Sequence, residues 1–144
     1  MNPIDWTLIA IANAKGNLEP VQLQKSLFLF GQQLKSRQLK TRSFYRFEPY
    51  DYGPFCSAVY SDVEELGRQG LIAIQRPPEA RYKLYCATAD GKKRAKELER
   101  ELDDNVAAYA RNVIQFTQGL SFDELVSTIY KAYPKMKVNS VFQE

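Results

Sequence analysis

The sequence predicts a mainly α-helical domain with a small antiparallel β-sheet, of winged-helix type with a long C-terminal helix. Three observations lead there. Phe55, Val59, Val63 and Leu66 recur at spacings of four, four and three, which marks an amphipathic helix over about 54–69. Gly70 stops that helix, and two β-prone runs at 71–74 and 82–87 follow around a polar loop at 75–81. Thr88 then caps a further helix, and Asp90 adds favourable charge near its positive end. Helix, stop, two-stranded flap and helix in direct succession is the plan of a winged helix.

The other elements follow in order. Asn2 and Pro3 open a first helix, with Ile4, Leu8, Ile11 and Ala12 on one face and Trp6 and Ile9 widening it. Gly16 supplies a left-handed stop. From Pro20 a second helix carries Val21, Leu23, Leu27, Phe28, Phe30 and Leu34, and is expected to be the most buried element. Residues 43–48 alternate aromatic and polar side chains, which predicts a strand that Pro49 ends. The Asp51-Tyr52-Gly53-Pro54 turn then places Pro54 in the first turn of the next helix.

The helix from Thr88 is expected to run to about 118, with Asn105 a candidate kink. Ala95, Leu98, Leu102, Val106, Tyr109, Val113 and Phe116 give it a stripe of nearly heptad spacing. Such a stripe predicts either a homodimer through helix 88–118 or packing back on Phe122 and Ile129. Gly119 ends it, Ser121 caps a final helix, and Pro134 ends that one. The tail, basic and then apolar at Val138, Val141 and Phe142, is expected to fold back on the rest. With 144 residues and no repeat or low-complexity linker, 1–144 reads as one domain.

Composition excludes much chemistry. Histidine is absent, so neither Ser–His nor Cys–His nucleophile pairs can be built, and the commonest metal ligand is missing. Cys56 and Cys86 show no metal-binding pattern, and the 7 glycines form no phosphate cradle. The expectation is a protein that is not an enzyme and uses no cofactor or metal. No apolar run approaches the roughly 20 residues of a membrane helix, and the first residues lack a secretion signal. A cytoplasmic protein with reduced cysteines and no membrane partner is expected. The net charge of +3 permits nucleic-acid binding without demanding it.

Two binding surfaces are candidates. For double-stranded DNA, Lys40, Arg42 and Arg46 would contact phosphates from a basic segment that holds no acid. Ser57, Tyr60 and Ser61 would lie on the recognition helix, and Arg76, Arg81 and Lys83 on the wing. Against base reading, Asp62, Glu64 and Glu65 outweigh Arg68 and make that helix acidic. This acidity suits a helix that docks a protein. The partner-binding candidates are Tyr50, Tyr52, Glu64, Glu65 and Arg68, with the aromatic run Phe44 to Phe55 divided between core and surface.

The segments Leu23-Gln24-Lys25-Ser26-Leu27-Phe28-Leu29, Phe47-Glu48-Pro49-Tyr50-Asp51-Tyr52-Gly53-Pro54-Phe55-Cys56 with Ser57 to Asp62, and Gly70-Leu71-Ile72 resemble the Panacea-domain family. That family includes the SocA-like antitoxins, and the resemblance covers residues 5–90. It implies action by binding proteins, such as toxins or proteolysis machinery, and brings no catalytic residues. Residues 52–98 also resemble the recognition helix, wing and C-terminal helix of PadR- and MarR-type regulators. Their Tyr-x-Leu-Thr-x-x-Gly signature is stretched here to Tyr82-Lys83-Leu84-Tyr85-Cys86-Ala87-Thr88-Ala89-Asp90-Gly91. The expected function is therefore a non-enzymatic, antitoxin-like binding module of bacterial or phage type. It would bind a cognate protein, such as a toxin, or DNA. The alternative is a dimeric DNA-binding transcriptional regulator.

Overall fold

The computed structural model describes residues 1–143. Helix α1 (Pro3–Ala12) is capped where the Asn2 amide donates to the Asp5 carboxylate at 2.8 Å. Trp6 through Ile11 are all buried, so this helix runs through the middle of the molecule. Helix α2 (Pro20–Gln33) lies against it and buries a similar continuous stretch, Gln22 to Phe28. A short helix α3 (Ser36–Leu39) follows, and Trp6 Nε1 donates to the Leu39 carbonyl at 2.8 Å.

Strands β1 (Glu48–Tyr50) and β2 (Gly53–Phe55) form a small antiparallel hairpin with Pro49 opposite Pro54. Both prolines are tolerated because each strand of a two-stranded ribbon is an edge. Helix α4 (Ser57–Arg68) comes next and turns Val59, Val63 and Leu66 inward. The flap is present as β3 (Ile72–Gln75) and β4 (Leu84–Ala87), antiparallel with Ile72 opposite Ala87. Leu18 adds a bridge beyond β4, exchanging two backbone hydrogen bonds with Tyr85 at 2.8 and 2.9 Å. Thr88 caps helix α5 (Ala89–Glu99) through the Gly91 amide, and its own hydroxyl donates to the Gly70 carbonyl at 2.7 Å. Gly91 sits so close to the Leu71 carbonyl that a Cβ there would lie 1.8 Å from the oxygen. The glycine of the stretched signature is thus required by contact between α5 and the turn that joins α4 to β3.

Helix α6 (Asp104–Gln118) packs on α1 and α2. Ser121 and Glu124 cap α7 (Phe122–Ala132) reciprocally, as the sequence predicts. Gly16 and Gly70 take the expected left-handed conformation at φ +65° and +73°. The tail does fold back: the Val141 amide donates to the Asp51 carbonyl at 2.9 Å, and Asn139 Nδ2 to the Pro49 carbonyl at 3.2 Å. Phe142 is half-buried there, while Val138 and Val141 stay exposed.

Three expectations need correction. Residues 43–47 form no strand. Their alternation instead serves ring packing, with Phe44 against Tyr45 at 5.3 Å and Tyr45 against Phe47 at 6.3 Å, and the ladder starts only at Glu48. Pro54 lies in β2 rather than in the helix, which begins at Ser57 after the cap residue Cys56. The long C-terminal helix is two helices. Asp103 takes the N-cap position of α6, because Asp and Asn favour starts over interiors, and the break lets α6 turn back onto α2.

That break removes the surface for the expected dimer. Ala95, Leu98, Leu102, Val106 and Val113 are buried within the chain, Tyr109 is half-buried, and of the stripe Phe116 alone is exposed. Nor is the stripe covered by Phe122 and Ile129, since α6 rests on α1 and α2 while Ile129 packs with Phe28 and Leu125.

Candidate functional site

Helix α4 organises both candidate surfaces. With Val59, Val63 and Leu66 inward, Ser57, Ser61, Glu65 and Arg68 fall on the outward stripe. Ala58 and Asp62 lie on one flank, and Tyr60 and Glu64 on the other.

The Tyr60 flank opens onto a groove of about 720 Å³ between α2, the β1–β2 hairpin, the flap loop and the start of α7. Its walls are aromatic. Tyr50 stacks on Phe55 with centroids 5.1 Å apart, and Phe55 meets Tyr60 at 5.6 Å. Opposite them, Tyr52 meets Phe122 at 5.2 Å and Phe122 meets Phe142 at 6.1 Å. Tyr82 and Arg81 reach in from the flap loop. Four of these side chains, Tyr50, Tyr52, Tyr82 and Phe122, are 40% to 55% exposed.

Two polar side chains of α2 build the groove from beneath. Gln24 Nε2 donates to the Cys56 carbonyl and Gln24 Oε1 accepts from the Cys56 amide, both at 3.0 Å. This pins the approach to α4 in both directions. Lys25, 4% exposed, donates from Nζ to the Pro54 carbonyl at 3.1 Å and lines the groove. Burial lowers its pKa from 10.5 to about 8. Gly53, at φ +100°, brings the hairpin turn close to Lys25 and Tyr130, where a Cβ would come within 3.2 Å of the Tyr130 ring. Burial also raises the Tyr60 hydroxyl above its ordinary value, partly offset by the neighbouring Gln24 amide.

The opposite flank is closed by hydrogen bonds. Tyr45 donates its hydroxyl proton to Asp62 at 2.5 Å, so Thr7 is the donor in its 2.7 Å contact with the Tyr45 oxygen. Burial first, and then the Asp62 bond, push the Tyr45 hydroxyl far above the usual phenol range. Outside this chain of hydroxyls, Arg46 borders Ala58 and Asp62.

The predicted site residues therefore regroup. Tyr50 and Tyr52, expected to bind a partner, share the groove with Tyr60 and Arg81, expected to bind DNA. Lys83 from the DNA set and Glu64 from the partner set form an ion pair at 3.2 Å. Glu65 pairs with Arg68 at 3.0 Å, and that hydrogen-bonded contact holds the exposed carboxylate below its ordinary pKa. Among the described residues, Lys40, Arg42, Arg46, Arg76 and Arg81 make no ion pair or side-chain hydrogen bond. Lys40 caps α3 in the left-handed conformation at φ 58°, and Ser57 and Ser61 are exposed between the flanks.

Lys25, Gln24, Tyr82 and Phe122 were not among the predicted site residues. For the first two a signal existed, namely a Gln-Lys pair between Leu23 and Leu27 in the helix expected to be the most buried. Such polar groups need buried partners. Among the described residues no three of Cys, Asp and Glu come together as a metal site, and Cys56 and Cys86 are free thiols. No helix among them is long and apolar enough to cross a membrane. Compared with protein-family models, curated proteins and solved structures, the chain gives no match.

Proposed function

We propose that this chain is a non-enzymatic, cytoplasmic binding module that receives a segment of a partner protein in the aromatic groove beside α4. The supporting observation is the groove itself, in which four exposed aromatic side chains surround a cleft anchored from below by Gln24 and Lys25. Aromatic rings of this kind are enriched at protein interfaces and expensive to leave in water. The resemblance to Panacea domains points the same way, and a toxin is the partner class it implies. Photo-crosslinking in the native host tests the proposal. A benzophenone side chain at Tyr82 should give one discrete heavier adduct, whereas the same group at Lys92 on α5 should give none. Equal labelling at both positions, or none at Tyr82, overturns it.

A second reading, attachment to duplex DNA, is favoured by the five unpaired cations. Arg46 and Arg81 flank the Ser57–Ser61 stripe, with Lys40, Arg42 and Arg76 further out on their segments. If they contact phosphates, replacing Lys40, Arg42 and Arg46 together by Ala should reduce the slope of log affinity against log salt by about 3. An unchanged slope in an anisotropy titration removes these contacts. A dimeric regulator would further need a contact other than the 88–118 stripe, and light scattering at micromolar concentration decides whether a dimer forms.

A further inference from the structure

Lys25 is a cation with too few partners. An ammonium carries three N–H donors, and here the Pro54 carbonyl is the acceptor in range. No ion pair among the described residues includes it. Burying a charge without a counter-charge is costly, and a lysine serving only to tether a carbonyl would do so at lower cost as a neutral donor. Lys25 also lines an open cleft rather than a sealed core.

The surroundings define what fits. Glu19, Asp51 and Arg81 line the same cleft, and neither acid lies within ion-pair distance of Lys25. Gln24 and the phenols of Tyr50, Tyr52, Tyr60 and Tyr82 complete its polar lining. Two resident carboxylates disfavour a run of acids, while the buried ammonium favours one. The aromatic walls supply apolar contact on either side.

Resting on the groove as a docking site, we infer that its occupant is a partner segment carrying one glutamate between apolar or aromatic residues. The glutamate carboxylate descends onto the Lys25 ammonium, and its neighbours lie against Tyr52 and Tyr82. A glutamate stem suits a cation set at the floor of the cleft. The contact is a charge-assisted hydrogen bond formed out of water, where such bonds are strongest.

Selection of displayed random peptides of about a dozen residues on the full chain tests this, with counter-selection on the Tyr52→Ala, Tyr82→Ala double variant. The enriched peptides should share one glutamate flanked by apolar residues, and an all-glutamate peptide should not bind. For the tightest peptide, changing its glutamate to glutamine should weaken binding by about tenfold or more. Lys25→Met should do the same, and both changes together should cost no more than either alone. In the unaltered protein, saturating peptide should move the Lys25 side-chain NMR titration upward from about 8, which a merely structural lysine would not show. Peptides that need Tyr52 and Tyr82 but lose less than about twofold on glutamate removal, and leave that titration in place, overturn the inference while keeping the groove. Absence of any peptide dependent on Tyr52 and Tyr82 overturns the groove as well.

Discussion

The two flanks of α4 are built in opposite ways. Beside Tyr60, every wall of the groove is held: the hairpin by Gln24 and Lys25, its turn by the tail, and the flap by the Glu64–Lys83 pair. Beside Asp62, a half-buried line from the Thr7 and Tyr45 hydroxyls to the Asp62 carboxylate ties the helix to α1, and the cations outside it project from backbone without a ladder. The first flank has fixed geometry and aromatic walls, which suits selection by shape. The second has charge without fixed geometry, which suits salt-dependent attraction and little discrimination. The comparison also changes the meaning of the acidic helix. Asp62 accepts a hydrogen bond from the Tyr45 phenol, Glu64 pairs with an ammonium and Glu65 with a guanidinium, so its carboxylates largely face groups of this chain.

The widest expected effect tests what both flanks share. Gly91→Ala forces a Cβ into the Leu71 carbonyl and should cost about 4 kcal/mol or more, read as loss of cooperative melting. Next comes a test of the groove floor alone. Between pH 8 and 10.5 the unfolded chain holds the proton that folded Lys25 releases, so stability should rise through that window by on the order of 3 kcal/mol. Below pH 8 both states hold the proton, and Lys25 adds no pH dependence. Tyr45 and Tyr85 act oppositely above pH 10, because burial raises both and the unfolded phenols ionise first. Urea midpoints should therefore climb and then fall, and Lys25→Met should remove the climb while keeping the fall.

Gln24→Ala should cost about 2 to 3 kcal/mol, since it strands the buried amide and carbonyl of Cys56. It should also loosen the groove while leaving affinity for duplex DNA unchanged; a parallel loss of both would show that the flanks are not separable. The smallest effect belongs to the flap. Lys83→Ala removes a half-exposed ion pair and should change stability by less than about 1 kcal/mol, as a denaturant titration would show.

Local signals carried most elements through to the structure. Val59, Val63 and Leu66 marked α4, although Phe55 at the head of their stripe lies in β2; Gly16 and Gly70 marked real chain reversals, Ser121 and Thr88 capped real helices, and the β-prone runs around the polar loop paired as the flap. Each of these depends on residues a few positions apart, where sequence spacing and spatial spacing coincide. The errors share the opposite property. Alternation at 43–47 resembled a strand but lacked a neighbour to pair with, and the stripe at 88–118 could not reveal that α1 and α2 would cover it after a break at Asp103.

The candidate site followed the same division. Tyr50, Tyr52, Tyr60 and Arg81 stand out by residue type, yet their convergence depends on how the hairpin, α4 and the flap loop close around α2. Residue type and short-range periodicity determined the helices, their ends and the stock of aromatic and basic groups. Only tertiary packing decided which charges found partners and which rings met, and so left Lys25 beneath an aromatic cleft with a carbonyl for company. Burial and long-range proximity depend on the whole chain at once, and no window of neighbouring residues contains them.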